Sequence, residues 1–292
     1  MELFAFVLII AAAFLHAIWN VLAKVSKDTI ALMWWATVFG LLGYGGLLLL
    51  TGQAGFLDSR SWLWFVISAI AETGYFVTLV RGYSRGDLSL VYPLSRGSAP
   101  IFAAMLSAIM GERLAWFGYL GIGLMVVGIY VASLTFERSQ INLHLSAIVA
   151  PLRNSAALWA LVSGIFIAIY SVSDKVAVAA TPPLTYNWWV FAGNTVLWMP
   201  FMWRGTSART KPYDLRSNWP AIILTSVMMV GAYGAALAAL ALTSASYVVA
   251  GRGLSVVIGA LLGSFVLKES YGSARIIGAG LMVIGLALMA SA

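Results

Sequence analysis

Polar residues that could bind a small molecule recur on one face of the first hydrophobic segment of the chain. His16, Trp19 and Asn20 follow one another at helical spacing, so an α-helix would present all three side chains on the same side. A segment in the second half of the chain carries Tyr170 and Ser171 in a similar pattern. Hydrogen-bonding side chains in an apolar helix normally face other protein groups. The two faces are predicted to be opposite walls of one cavity; hydrogen bonding between helices is the alternative.

Charged residues also interrupt the hydrophobic segments. Glu72 stands in the middle of the third segment, where a carboxylate costs at least ~2.5 kcal/mol on insertion scales and therefore needs a partner. Arg96 and Arg252 are the cations within later segments, and Asp174 is a second acid at depth. One interpretation is a structural Glu72–Arg96 ion pair. Another is that an arginine binds an anionic group, such as a substrate carboxylate, and a third is that the arginines extend toward the membrane surface.

Aromatic residues on the same faces would supply apolar walls for such a cavity. Tyr75 follows Glu72 by three positions, and Tyr92 precedes Arg96 by four. The predicted substrate-binding residues are His16, Trp19, Asn20, Glu72, Tyr75, Tyr92, Arg96, Tyr170, Ser171, Trp188, Tyr247 and Arg252. The sequence predicts no catalytic residue, cofactor or metal site, because it has no Cys and its few His, Asp and Glu residues form no recognisable ligand motif.

The composition places these residues in a membrane protein. Hydrophobic residues make up 62% of the 292 positions and charged residues 9%, whereas soluble domains carry about a quarter charged residues. So few charges cannot cover the surface of a soluble fold, which excludes a soluble enzyme, a secreted disulfide-rich protein and a disordered chain. The net charge of +7 comes from basic residues that lie in short connectors, which is where membrane topology signals lie. Nucleic acid is therefore not an expected partner.

The hydrophobic segments are long enough to cross a bilayer as α-helices, which takes roughly 20 residues each. They do not alternate apolar and polar residues, as the strands of a membrane barrel would. The predicted fold class is therefore an all-α membrane protein with ten transmembrane helices. These helices are roughly 3–23, 30–51, 61–81, 88–110, 115–135, 156–176, 184–203, 218–241, 246–267 and 273–291.

The two halves of the sequence resemble each other. Ala17–Lys24 matches Ala168–Lys175, and Gly121–Gly128 matches Gly278–Gly285. Each half holds five predicted helices, an odd number, so the second half enters the membrane from the opposite side. Such inverted repeats enclose a central binding cavity in many secondary transporters. The predicted units are a first repeat at 1–138, a connector at 139–155 and a second repeat at 156–292.

These features resemble the EamA-type family of the drug/metabolite transporter (DMT) superfamily. The resemblance rests on the doubled five-helix unit, on His16–Asn20, on the Gly111-Glu-Arg113 connector and on the glycine-rich fifth and tenth helices. The equivalent connector of the second half reads Leu267-Lys-Glu269, which departs from the family pattern. The resemblance implies a transporter, not an enzyme, that exports small metabolites by alternating access. Its YddG-type members imply amino acids, including aromatic and apolar ones, as the substrates.

The energy source and some other function classes stay open at this point. Few acids lie at depth, which favours a uniporter, whereas a proton carried by Glu72 or His16 would make a proton-coupled drug or metabolite exporter. An intramembrane enzyme and a channel are further alternatives. The expected partners are a small-molecule substrate and the lipid bilayer, and the chain is expected to act as a monomer in the inner (plasma) membrane.

The basic residues also predict an orientation. With ten helices, both ends of the chain lie on the same side of the membrane. The connectors on that side carry three Lys or Arg residues, and the connectors on the other side carry twelve. The positive-inside rule then places both termini outside the cytoplasm. Relatives of the EamA type are usually drawn with both termini inside, so charge and resemblance disagree.

Overall fold

The computed structural model describes residues 2–85, 88–132, 155–207, 213–258, 262 and 273–291. This part of the chain is helical and contains no strand, which confirms the predicted all-α fold. The helices are α1 (Leu3–Val25), α2 (Thr29–Leu50), α3 (Trp62–Tyr83), α4 (Leu88–Ile109), α5 (Trp116–Ala132), α6 (Ser155–Val178), α7 (Pro183–Ser207), α8 (Leu215–Leu242), α9 (Ala245–Arg252) and α10 (Ser273–Ser291). By length and composition, α1, α2, α3, α6 and α8 could each cross a membrane.

The start of α8 differs from the sequence prediction. The helix begins at Leu215 rather than at 218, because Asp214 caps it by accepting hydrogen bonds from the N–H groups of Arg216 and Ser217. The hydrogen bonds from Ser217 hold the pKa of the Asp214 carboxyl group below its usual value. The sequence prediction started later because it counted only the charge-free residues that follow Arg216.

The ninth helix is also shorter than predicted. α9 ends at Arg252, where the Gly253 N–H bonds back to the Ala250 carbonyl at 2.9 Å and tightens the chain. A further helical stretch follows at 254–258. The rest of the predicted ninth helix lies mostly outside the described residues.

The helices run alternately in opposite directions, so their connectors lie at two faces of the protein. We call face 1 the face at which α1 begins and α10 ends. It also holds the connectors 51–61, 110–115, 179–182 and 243–244. Face 2 is the opposite face, at which α1, α3, α5 and α7 end.

The largest contacts of the fold join helices from different repeats. α3 and α4 pack against α6, and this trio is bundle A. The symmetry-related trio is bundle B, in which α1 packs against α8 and α9. α2 contacts α7 and α8, and α5 pairs with α10. This exchange of partners confirms the two inverted five-helix repeats.

The pairing of α5 with α10 depends on glycines of the repeated motif. A Cβ atom on Gly128 would lie 2.5 Å from the side chain of Met282 and 2.8 Å from the carbonyl oxygen of Gly278. A Cβ atom on Gly121 would lie 2.6 Å from the carbonyl oxygen of Gly285. These positions therefore need glycine so that the two helix backbones can approach, as is common between membrane helices.

Candidate functional site

Arg96 of α4 joins bundle A to bundle B in the middle of the protein. Its Nη2 atom lies 3.0 Å from Nε2 of His16 on α1 and 3.3 Å from the hydroxyl of Tyr75 on α3. The guanidinium carbon lies 5.6 Å from the centre of the Tyr75 ring. Arg96 and His16 are both buried. Because a guanidinium only donates hydrogen bonds, Nε2 of His16 accepts this one and carries no proton.

Trp19 and Asn20 accompany His16 on α1, as their spacing predicts. The indole Nε1 of Trp19 lies 3.2 Å from Nδ1 of His16, and the two rings meet edge to face at 4.7 Å. The Asn20 amide donates to the His16 carbonyl oxygen at 2.7 Å. A neutral imidazole has one unprotonated nitrogen, so His16 cannot accept from Arg96 and Trp19 at once.

Arg252 of α9 is the counterpart of Arg96 in the second repeat. Its guanidinium carbon lies 5.8 Å from the ring centre of Tyr233 on α8, as that of Arg96 lies beside Tyr75 on α3. Arg252 is buried, and its Nε atom has no hydrogen-bond partner among the described residues. Arg252 interacts electrostatically with the buried carboxyl groups of Glu72 and Asp174.

Asp174 of α6 is held by three hydroxyl groups from three other helices. Ser68 of α3 and Tyr186 of α7 donate to Oδ1 at 2.6 and 2.8 Å. Tyr233 of α8 donates to Oδ2 at 2.6 Å. The side chain is 1% exposed. Its charge is therefore used to join four helices, including one from bundle B, which makes Asp174 a structural anchor.

Glu72 accepts fewer hydrogen bonds than Asp174. The side-chain amide of Asn194 on α7 donates to its Oε2 atom. Among the described side chains Glu72 forms no ion pair with Arg96, so that interpretation of the sequence is wrong. Arg96 bonds instead to His16 and Tyr75, whereas Glu72 accepts a hydrogen bond from Asn194 of α7.

Tyr170 and Ser171 of α6 lie where the two repeats meet. The rings of Tyr170 and Tyr75 make an edge-to-face contact at 6.3 Å between centres. Ser171 is buried, and its hydroxyl has no hydrogen-bond partner among the described residues. Tyr75 thus links Tyr170 of α6 to Arg96 of α4, which bonds to His16 of α1.

Three other predicted residues are not shown to join this group. The indole of Trp188 donates to the Leu41 carbonyl oxygen at 3.0 Å and lies against Gly45, so it packs between α7 and α2. Tyr247 is buried in the apolar core between α9 and α5, beside Gly118. Tyr92 belongs to α4, but its side chain lies outside the described residues.

The sequence prediction missed several polar partners of the two acids, namely Ser68, Tyr186, Asn194 and Tyr233. The repeat carried a signal for Tyr233, because α3 and α8 are equivalent helices and Tyr75 of α3 lies beside the equivalent arginine. Asn194 and Tyr186 are polar groups within the predicted seventh helix, but their spacing alone does not indicate which acid they meet.

The arrangement is suited to binding a small molecule. Both guanidinium groups and both carboxyl groups are buried; Tyr75 contacts Arg96, and Tyr233 contacts both Arg252 and Asp174. In the part of the chain that the structure describes, no three His, Asp or Glu residues form a group that could hold a metal ion. A small molecule with charged and polar groups could be bound here by hydrogen bonds and charge.

An all-helical fold of two inverted five-helix repeats, with ionisable residues at the junction between them, is typical of a secondary transporter. The profile of the EamA-like transporter family matches residues 3–134 and 154–291. The chain belongs to this family, which is part of the DMT superfamily, and it is a multi-pass membrane protein.

Comparisons with individual proteins support the fold alone. A solved structure described only as a crystal structure of a protein is 14% identical to this chain, with a TM-score of 0.74. The match covers 97% of this chain and 95% of that one. Among curated proteins, no match to the chain is found.

Proposed function

We propose that the protein exports small zwitterionic metabolites, above all amino acids with aromatic or apolar side chains, by alternating access as a uniporter. The single observation behind this proposal is that the buried charged groups differ in how many hydrogen bonds they form with protein groups. Asp174 is occupied by three hydroxyl donors, and Arg96 by His16 and Tyr75. Arg252 forms no side-chain hydrogen bond with another described residue, and Glu72 is the other acid at this depth.

An available cation and an available acid match the two charged groups of an amino acid. We propose that Arg252 binds the carboxylate and that Glu72 binds the ammonium group. The two arginines and the two acids balance when all are ionised, so a zwitterion enters without adding net charge to the buried region. A cargo of one sign would add such a charge, which is costly in a low-dielectric site. The Tyr75 and Tyr170 rings would face the apolar part of the substrate.

The hydrogen bond from Arg96 favours uniport over proton coupling through His16. A proton on Nε2 of His16 would face a guanidinium that only donates, so protonation requires this contact to break. An imposed pH gradient that drives concentrative transport would instead indicate the proton-coupled alternative.

Substrate class can be tested by counterflow in proteoliposomes with three related compounds. L-phenylalanine carries both charged groups, phenethylamine lacks the carboxylate and 3-phenylpropionate lacks the ammonium group. We expect exchange of the amino acid only. Arg252→Gln should raise its KM about tenfold, because a charge-assisted hydrogen bond is lost. Arg60→Gln is the matched control, since Arg60 is exposed at face 1. Equal exchange of all three compounds would contradict the proposal.

We further propose that the protein resides in the plasma (inner) membrane with both termini outside the cytoplasm, as the distribution of basic residues indicates. A fluorescent protein that matures only in the cytoplasm, fused after Ala292, should then stay dark. The same reporter inserted at face 2 should be bright. A bright C-terminal fusion would support the orientation usually drawn for the family.

A further inference from the structure

Lys175 binds the C-terminal end of α8 at face 1. Its Nζ atom donates to the carbonyl oxygens of Leu240 and Thr243 at 3.0 and 2.8 Å. These carbonyls lie at the end of α8, where they lack partners within the helix and where the helix dipole attracts a cation. Lys175 belongs to α6 of bundle A, and α8 belongs to bundle B. The contact therefore joins the two bundles at one face of the membrane.

The same ammonium group reaches a third element. Nζ of Lys175 lies 3.5 Å from Oε1 of Glu112 in the connector between α4 and α5. Their side chains are 27% and 23% exposed, so the pair is only partly screened by solvent. Asp174, which precedes Lys175 on α6, accepts a hydrogen bond from the hydroxyl of Tyr233 on α8. Two consecutive residues of α6 thus hold α8 against bundle A.

The helices that are related to α6 and α8 by symmetry pack differently. Inverted symmetry makes α1 the equivalent of α6, and α3 the equivalent of α8. Among the described residues α6 and α8 pack together, whereas α1 and α3 share no comparable packing. The two halves have the same construction but different contacts, so the difference belongs to the conformation rather than to the fold.

From these contacts we infer that Lys175 is the latch that closes face 1, and that opening the transporter to this face requires its bonds to Leu240, Thr243 and Glu112 to break. This inference rests on the transport function of the family and does not depend on which substrate is carried. Removing the ammonium group destabilises the state that is closed at face 1, so the population open to that face increases.

The absence of cysteine from the chain makes this testable with a single introduced thiol. Ser246 is fully buried, its hydroxyl has no partner among the described residues, and it follows Thr243 by three positions. Ser246→Cys therefore reports opening at face 1. The probe is a membrane-impermeant fluorescent maleimide, applied to full-length protein in lipid nanodiscs without substrate. Ser163→Cys is the matched control, because Ser163 is equally buried on α6 but lies in the half near face 2.

We expect Lys175→Gln to increase the labelling rate of Ser246→Cys about tenfold, as the loss of charge-assisted hydrogen bonds predicts. Lys175→Arg keeps the cation and should stay within about twofold of the parent. Labelling of Ser163→Cys should not change. An unchanged rate at Ser246→Cys, or an equal increase at both positions, would overturn the inference, since the latter indicates general loosening.

Glu112→Gln provides a milder second variant if Lys175→Gln does not fold. It removes one of the three partners of Lys175 and leaves both bonds to α8. We expect about a twofold increase in labelling at Ser246→Cys and none at Ser163→Cys. A lack of any increase with this variant would also count against the latch. Because no substrate is present, the result is independent of the amino-acid proposal.

Discussion

The guanidinium of Arg96 donates a hydrogen bond to Nε2 of His16 across 3.0 Å, from α4 to α1. This contact joins the two bundles close to the middle of the protein. It also fixes the protonation state of the imidazole, since Nε2 must be free to accept. His16 thus stabilises the arginine instead of carrying a proton, although histidine is the side chain whose usual pKa is best suited to that role.

The first prediction concerns pH. With equal pH on both sides of a proteoliposome, His16 should not contribute to the pH dependence of the initial transport rate between pH 6 and 8, because it stays neutral beside Arg96. His16→Gln should therefore keep the pH profile of the parent within about twofold, since its amide oxygen can still accept from the guanidinium. A rate inflection near pH 6.5 that disappears in His16→Gln would show that His16 does titrate during transport.

A second prediction concerns the anchor formed by Asp174. Asp174→Asn weakens the three hydroxyl bonds and should lower folding stability by about 1–3 kcal/mol, measured as a lower Tm in detergent. Tyr233→Phe removes one of those bonds and should cost about 1 kcal/mol. Thr51→Ala is a suitable control, because the Thr51 hydroxyl bonds only to nearby carbonyls at an exposed helix end. Equal Tm values for Asp174→Asn and the control would contradict the anchoring role.

A third prediction compares two glycines of α5. Gly128→Val should reduce the yield of folded protein, with an overpacking cost of about 1–3 kcal/mol, because the new side chain meets α10. Gly123→Val should be tolerated, since a Cβ atom there has no neighbour within 4 Å. Size-exclusion profiles and Tm values distinguish the outcomes. Similar losses for both variants would mean that glycine serves the helix itself rather than the contact with α10.

A fourth prediction separates two tryptophans that the sequence treats alike. Trp188→Ala should lower Tm, with a stability loss of about 3 kcal/mol, and leave the KM unchanged, because Trp188 packs between α7 and α2. Trp19→Ala should change the KM more than the Tm, because Trp19 contacts His16 beside Arg96. If Trp188→Ala raised the KM at a normal Tm, the residue would belong to the substrate site after all.

A fifth prediction uses the repeat. Lys24 is the sequence counterpart of Lys175 and lies on α1 near face 2; its side chain lies outside the described residues. Lys24→Gln should decrease the maleimide labelling rate of Ser246→Cys, the opposite of Lys175→Gln, because it destabilises closure at face 2. An increase like that of Lys175→Gln would mean that the two lysines do not close opposite faces.

The sequence by itself determined the ten helices, the inverted repeat and the polar faces that meet at its centre. Hydropathy and spacing are local properties of the chain, so they predict where a helix runs and which of its side faces avoids lipid. They also placed His16, Trp19, Tyr75 and Tyr170 on faces that the structure brings into one group.

Only the tertiary structure decided which polar groups pair. Glu72 and Arg96 were natural partners by charge, yet Glu72 is bonded by Asn194 of α7 while Arg96 bonds to His16 of α1. Asp174 and Lys175 are neighbours in the sequence, but their partners come from four other elements, namely α3, α7, α8 and the connector after α4. These partners depend on the angles and heights at which helices of different repeats cross, and spacing within one helix carries no information about such crossings.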